Sequence, residues 1–192
     1  MRLIITSLII AFALIIVSCS PDLFTLNQRN NKYVNGLIMS DLDNVDVMND
    51  NSLMLYDGGF IAMRRPELTG LTADFTVNIK KGDGVMFAIR SVSDHFSDHP
   101  GIYFDYSTGG SSVIEKGKDR IYLKNVYAKI DEPTRIIISN DCSYYNIIVD
   151  CDTVYKGRTW LPNTEYVIVK ALPKSDVLLS GISITNTIVE NE

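Results

Sequence analysis

The chain has 192 residues and a formal net charge of −5, with 46% hydrophobic and 21% charged residues. An acidic chain of this kind lacks the basic face by which proteins bind nucleic acid or anionic lipid headgroups, so we expect no nucleic-acid partner. The length and the share of apolar residues suit one all-β domain with its own core.

The N-terminal residues have the pattern of an export signal. Met1-Arg2 provides a positive start, and no charge follows from Leu3 to Val17. This run of about 15 apolar residues is shorter than the ~20 that a transmembrane helix needs, and it matches the helical hydrophobic region of a secretory signal peptide.

The end of this run, Ile16-Val17-Ser18-Cys19, resembles the lipobox of bacterial lipoproteins. The resemblance implies that the Cys19 thiol receives diacylglycerol, that cleavage occurs before Cys19, and that fatty acids such as palmitate hold the mature chain to the membrane. Ser20, rather than Asp, follows, which by the enterobacterial sorting pattern favours the outer membrane of the cell envelope. An uncleaved anchor and an ordinary secretory signal are the alternatives.

Three segments follow from this pattern. Residues 1–18 are the predicted signal peptide, residues 19–32 a tether, and residues 33–192 a β-sandwich domain. The tether contains Pro21 and three asparagines without a sustained hydrophobic period, which is typical of a linker.

Short runs rich in β-branched and aromatic residues recur from Ser52 onward, each closed by turn residues. The preceding residues, Val34 to Asn51, are rich in Asp and Asn and indicate irregular strand and turn. The runs predict strands over Leu53–Tyr56, Phe60–Met63, Thr72–Ile79, Val85–Arg90, Gly101–Tyr106, Ser112–Glu115, Arg120–Lys129, Thr134–Ser139, Tyr144–Asp150, Thr153–Lys156, Glu165–Ala171 and Asp176–Asn186. No window has a helical period outside the signal, so we predict an all-β fold, a two-sheet antiparallel β-sandwich of the jelly-roll type.

Three passages resemble the concanavalin A-like lectin and glucanase superfamily, in its laminin-G-like forms. They are Asp74 to Arg90, with a glycine-containing hairpin turn predicted at residues 80–84, then Tyr145 to Tyr155, and Val177 to Ile184. The resemblance implies a jelly roll that binds glycan on its concave sheet or at the loops of its rim.

The glucanase motif of that superfamily, Glu-x-Asp-x-x-Glu, is missing. Retaining hydrolysis needs two carboxyl groups about 5 Å apart, and none of the six glutamates begins the motif. Asp150 and Asp152 have the right spacing but lie at a predicted tight turn. We therefore expect binding without catalysis.

Aromatic residues are the candidate ligand contacts, because sugars present C–H faces to rings. On the strand Gly101–Tyr106, Tyr103 and Asp105 share the more polar face, which makes them the first candidates, with Tyr122 and Trp160 added as further rings. The alternative is that each ring packs in the core or across strands.

Two clusters could hold metal. Asp94, His95, Asp98 and His99 are ligand types that suit Zn²⁺, although a polar loop is the alternative. The Asp- and Asn-rich stretch from Asp41 to Asn51 offers oxygen ligands for Ca²⁺ without the spacing of a calcium loop. No other cofactor is expected.

Cys142 and Cys151 lie at the two ends of a predicted strand, and nine extended residues span about 30 Å, so we expect no disulfide between them.

Taken together, these patterns predict a lipid-anchored envelope lipoprotein whose partners are the membrane, through acylated Cys19, and a glycan or another envelope component. A structural or assembly lipoprotein with a protein partner is the alternative.

Overall fold

The computed structural model describes residues 33–34, 37–39, 43–48, 50, 52–64, 70–91, 101–115, 117–141, 143–161 and 166–186. Within these ranges every regular element is a β-strand, and all strand pairs are antiparallel. No helix long and apolar enough to cross a membrane occurs in them. Two sheets form a sandwich, as the sequence predicted.

The first sheet has eight strands in the order β1-β2-β5-β14-β7-β8-β9-β10. Its strands are β1 Tyr33–Val34, β2 Leu37–Met39, β5 Phe60–Arg64, β14 Tyr166–Ala171, β7 Gly84–Ser91, β8 Ile102–Ser107, β9 Ser112–Glu115 and β10 Ile121–Tyr122. β7 lies in the interior of the sheet, since it pairs with β14 on one side and β8 on the other.

The second sheet has seven strands in the order β13-β12-β11-β6-β15-β4-β3. Its strands are β13 Asp152–Arg158, β12 Tyr144–Val149, β11 Thr134–Asn140, β6 Leu71–Lys81, β15 Asp176–Asn186, β4 Leu53–Tyr56 and β3 Val45–Val47. At one edge of this sheet, β13 pairs only with β12 among the described strands.

The core lies between the sheets and follows from the alternation in the strands. On β6, Ala73, Phe75 and the next two odd-numbered residues are buried, while the even-numbered residues before Asn78 are partly exposed. The Phe75 ring lies 5.4 Å from the Phe87 ring of the other sheet, and Phe87 lies 6.0 Å from Phe104. The aromatic residues that the sequence placed in strands therefore hold the two layers together.

The glycine turn after β6 corrects one prediction. Residues 80–84 were expected to form a hairpin, but β6 and β7 belong to different sheets, so the turn carries the chain across the sandwich. Gly82 and Gly84 both have positive φ, and the backbone N–H groups of Asp83 and Gly84 donate hydrogen bonds to Ser175 Oγ. The two strands therefore pack face to face, with the Phe75 ring of β6 against the Phe87 ring of β7.

The strand predicted over Arg120–Lys129 is also wrong for most of its length. Only Ile121–Tyr122 pairs as a strand. Asn125 has a left-handed φ of 61°, which extended strands do not contain. The backbone of Ser111 bonds to both Leu123 and Val126, so this segment is a loop packed along the β8–β9 hairpin.

Candidate functional site

Three of the four residues that the sequence suggested for ligand binding share the outer face of the eight-stranded sheet. In β8 the even-numbered residues are buried in the core, which turns Tyr103 and Asp105 to the other face. Asp105 pairs with Ser112 of β9, and Ser112 pairs with Tyr122 of β10. The pairing therefore brings Tyr103, Asp105 and Tyr122 together on one surface.

Tyr103 packs on this surface rather than projecting from it. A second, smaller apolar cluster, Ala62, Ala88 and Ile168, is buried on the outer face, and Tyr103 lies against it. A Cβ atom placed on Gly101 would lie 3.2 Å from Tyr103 Cζ, so the ring folds back over its own strand. Tyr103 covers the small cluster.

Asp105 is a partly buried carboxyl group on this surface, next to Arg120. Its side chain is 20% exposed, and Oδ2 lies 3.5 Å from Arg120 Nη1, which also donates to Ser112 Oγ at 3.3 Å. Oδ1 is buried and has no hydrogen-bond partner among the described residues. Burial raises the pKa of Asp105, and the guanidinium offsets only part of that effect. We call Asp105, Ser112, Arg120 and Tyr122 the outer-face cluster.

Trp160 lies elsewhere, beside the edge strand β13, where it forms a second candidate site. Tyr144 of β12 pairs with Arg158 of β13, and both are exposed. The Arg158 Cζ atom lies 4.2 Å from the centre of the Trp160 ring and 5.8 Å from that of Tyr144. The Trp160 side chain is 75% exposed and that of Tyr144 44%. We call Tyr144, Arg158 and Trp160 the edge platform.

The residues on either side of Trp160 fix the chain while the indole stays in solvent. Thr159 is buried, and its hydroxyl donates to Glu115 Oε1 at 3.0 Å and accepts the Leu161 N–H at 3.1 Å. The guanidinium of buried Arg90 donates to the Leu161 carbonyl. Because both neighbours are bonded to the body of the sandwich, the indole is presented by a held backbone, which lowers the entropy cost of binding.

Arginine was the residue type that sequence reasoning missed in both sites. Arg120 lies in the segment wrongly predicted as a strand. Arg158 faces outward because β13 carries a bulge: Ile147 pairs with Tyr155, but Ile148 pairs with Thr153. The extra residue shifts the register by one, and a shift of one residue exchanges the two faces of a strand. The sequence carries no clear signal for that bulge.

Asp150 and Asp152 line a cleft of about 190 Å³, together with Glu132, Tyr106 and seven further residues. Asp150 Oδ1 accepts the N–H of Arg135 at 2.8 Å, and Glu132 pairs with Lys129 at 2.9 Å. Two of these three carboxylates therefore stabilise the walls of the cleft.

A buried hydroxyl lies at the inner end of the same cleft. Burial raises the pKa of Tyr106, and its hydroxyl donates to Thr134 Oγ1 at 3.2 Å. Tyr106 therefore joins β8 of one sheet to β11 of the other through a hydrogen bond.

Several sequence predictions lie outside the described residues. They are Cys19 with its lipobox, the tether, the cluster Asp94, His95, Asp98 and His99, and Cys142. Cys151 is exposed and has a free thiol.

The Asp- and Asn-rich stretch, the candidate calcium site, is described in part. Asp46 accepts a hydrogen bond from the Tyr56 hydroxyl at 3.0 Å, and Asp50 Oδ1 accepts hydrogen bonds from the backbone N–H and the hydroxyl group of Ser52. The described residues contain no group of three or more His, Cys, Asp or Glu that could hold a metal ion.

The sequence matches no family model, and no curated protein matches it. Its structure is similar to that of the exoplasmic/lumenal domain of VIP36 in its Ca²⁺/Man3GlcNAc-bound form, with a TM-score of 0.64 and 11% identity over 81% of this chain and 84% of that one. It is also similar to the carbohydrate-binding module CBM66 from Bacillus subtilis, with a TM-score of 0.60 and 12% identity over 79% of this chain and 96% of that module.

A sialidase is a third similar structure, with a TM-score of 0.62 and 9% identity over 80% of this chain. The chain spans only 17% of the length of that sialidase. At these identities the likeness concerns the fold, which is that of the galectin-like and concanavalin A-like lectin sandwiches.

Proposed function

We propose that this protein is a lipid-anchored lipoprotein of the bacterial cell envelope, and that its sandwich binds glycan at the edge platform without cleaving it. The observation that carries this proposal is the exposure of Trp160, the single tryptophan of the chain, at 75% beside a second exposed ring. Trp160 and Tyr144 both contact Arg158 and together form an exposed aromatic patch, which is the kind of surface that marks a ligand-binding site.

The platform matches the chemistry of a sugar. Trp160 and Tyr144 offer flat apolar surface to the C–H groups of a pyranose ring, while the Tyr144 hydroxyl and the Arg158 guanidinium offer hydrogen bonds to its hydroxyl groups. Two of the similar structures support the proposal, since their names describe a carbohydrate-binding module and a domain bound to Man3GlcNAc.

Binding without catalysis is supported by how the acidic residues are used. Glu115 is buried and accepts hydrogen bonds from Lys118 at 2.8 Å and from Thr159 at 3.0 Å. Glu132 pairs with Lys129. A general acid needs a carboxyl group that can reach the glycosidic oxygen, and both of these glutamates are bound to neighbours.

The test uses the full-length chain purified in detergent and an array of neutral and acidic glycans. We expect at least one glycan to bind, and Trp160→Ala to abolish its binding. Tyr122→Ala is the matched control, since Tyr122 is equally exposed at 76% but belongs to the outer-face cluster. Loss of binding in Tyr122→Ala alone would move the site to the outer-face cluster, and an array without any signal would refute glycan binding.

The anchor has its own test. We propose that Cys19 carries the acyl chains and that these chains anchor the mature protein in the outer membrane. Cys19→Ala should leave an unacylated precursor of full length, seen as a larger band that does not incorporate labelled palmitate. A mutant that is processed to the normal size would refute this part of the proposal.

A protein partner is the second candidate, which would make the domain a structural or assembly lipoprotein. It is favoured by four exposed apolar side chains in β10 and the segment that follows it: Ile121, Tyr122, Tyr127 and Ile130. Exposed apolar residues that recur along one segment often mark a protein interface. Co-purification of one envelope protein that is lost in Ile121→Ser, with no glycan signal, would support this function instead.

A further inference from the structure

We propose that the glycan bound at the edge platform carries a carboxylate, as a uronic or sialic acid does, and that Arg158 recognises it. This inference rests on the proposed function and names the chemical class of its ligand. It begins from the bonding of the arginines.

Four arginine side chains fall within the described residues, and three of them donate to oxygen atoms. Arg90 donates to Asn140 Oδ1 and to two carbonyls, Arg120 contacts Asp105 and Ser112, and Arg135 makes two bonds to Asp74. Arg158 contacts the rings of Tyr144 and Trp160 and has no acceptor within the described part of the chain. No acceptor in these described ranges therefore competes with a ligand for its N–H groups.

The ring contacts prepare Arg158 for a planar anion. A guanidinium that lies over an indole at 4.2 Å is held in orientation, yet its N–H groups point outward from its edge. Two parallel N–H groups match the two oxygens of a carboxylate, and such paired, charged bonds are stronger than neutral ones. Because the rings already restrict the side chain, binding needs little further ordering.

The surroundings of Arg158 favour an anion although the whole chain is acidic. Lys156 lies two residues earlier on the same face of β13, and it pairs with Asn146. Asp141 accepts the N–H groups of Ser143 and Tyr144, and Glu115 accepts hydrogen bonds from Lys118 and Thr159, so both carboxylates already have partners. Two cations therefore face solvent beside the rings.

A sugar acid satisfies both halves of this surface at once. The pyranose ring lies against the exposed aromatic surface, while its carboxylate meets the edge of the guanidinium. A bare anion would use Arg158 but leave the exposed indole without a role, and a neutral sugar would use the rings but leave the guanidinium without a matched acceptor.

The experiment compares two matched pairs of probes on the full-length protein in detergent. One pair is trigalacturonic acid and its methyl ester, and the other is sialyllactose and lactose. Trp160 reports binding through its fluorescence, since it is the only tryptophan. In at least one pair we expect the acid to bind at least about tenfold more tightly, as one charged bidentate bond provides, with a preference that weakens at high salt.

The variant Arg158→Gln should lose that preference. Arg135→Gln is the matched control, because it removes an equal charge from an exposed position on β11, where the guanidinium already forms a salt bridge with Asp74. It should keep the preference.

The other possible results refute either this inference alone or the inference and the proposed function together. Equal binding of acid and neutral partner, or an acid preference unchanged in Arg158→Gln, refutes the inference. Trp160-dependent binding of neutral glycans alone also refutes it but leaves the proposed function intact. No binding of any probe and no signal on the glycan array refutes both.

Discussion

Replacing Arg90 tests how the fold holds the edge platform in place. Arg90 is 2% exposed, and its guanidinium donates to Asn140 Oδ1 from two nitrogens, at 3.1 and 2.6 Å, and to the carbonyls of Asp141 and Leu161. These acceptors lie in the two segments that lead to Tyr144 and away from Trp160. We therefore predict that Arg90→Met destabilises the fold and loosens the platform.

The magnitude follows from the acceptors that the variant leaves behind. Methionine fills much of the space but donates no hydrogen bond, so Asn140 Oδ1 and two carbonyls lose a donor. A buried acceptor without a partner costs about 1–3 kcal/mol, and a hydrogen bond from a charged donor contributes about 1.5–3 kcal/mol. The bonds to Asp141 and Leu161 are only partly buried, so water replaces some of the loss, and we expect about 3 kcal/mol.

Urea denaturation followed by circular dichroism and by Trp160 fluorescence measures this loss. The control Arg135→Met removes an exposed guanidinium that bonds to Asp74 at 3.0 Å and should cost less than about 1 kcal/mol. A loss in Arg90→Met that is no larger than in the control would refute the reasoning.

The backbone at Arg90 gives a second, independent check. Its φ of 55° lies in the left-handed region, where a Cβ atom is unfavourable. Arg90→Gly should therefore be about 1 kcal/mol less destabilised than Arg90→Ala, although both lack the side chain. Equal losses in the two variants would contradict this conformation.

Two further predictions concern other parts of the sandwich. In Gly157→Ala the new Cβ would lie 2.6 Å from the buried Tyr145 ring and 2.7 Å from Tyr155, so the free energy of unfolding should fall by about 1–3 kcal/mol, measured by urea denaturation. In the control Gly109→Ala nothing lies within 4 Å of the new Cβ, so the free energy of unfolding should be unchanged. Burial raises the folded pKa of Asp105 above its unfolded value, so its contribution to stability is present at low pH and is lost as pH rises through the folded pKa. The wild type should therefore lose stability relative to Asp105→Asn as the pH rises above the ordinary aspartate pKa of about 3.9, as measured by urea denaturation, and the opposite trend would contradict this assignment.

Much of the sandwich follows from the alternation of apolar and polar residues. The period of two along β6 predicted which of its residues enter the core, and the structure buries Ala73, Phe75, Val77 and Ile79. The same period predicted the outward face of β8 that carries Asp105. Alternation is decided within one strand, and a single sequence therefore reveals it.

Relations between strands could not be obtained in this way. The glycine turn after β6 predicted a change of direction, but composition does not say whether the next strand pairs beside β6 or packs across from it. The bulge between β12 and β13 is equally hidden: without the extra residue, Tyr144 would pair with Gly157 instead of Arg158. The edge platform depends on that shift, which is why the sequence grouped Trp160 with Tyr103, Asp105 and Tyr122 and did not reveal Arg158.

Charges on β13 also have a role that needs no ligand, because a sheet edge that exposes charged side chains resists pairing with another chain. Lys156 and Arg158 on this edge strand would serve that purpose. Protection depends on charge alone, whereas recognition of a carboxylate also depends on the planar fork and its contact with Trp160. Arg158→Lys separates the two roles: it should leave the sedimentation of the protein unchanged from wild type in analytical ultracentrifugation but lose most of the acid preference. Self-association of Arg158→Gln without any change in glycan binding would identify Arg158 as a protective charge.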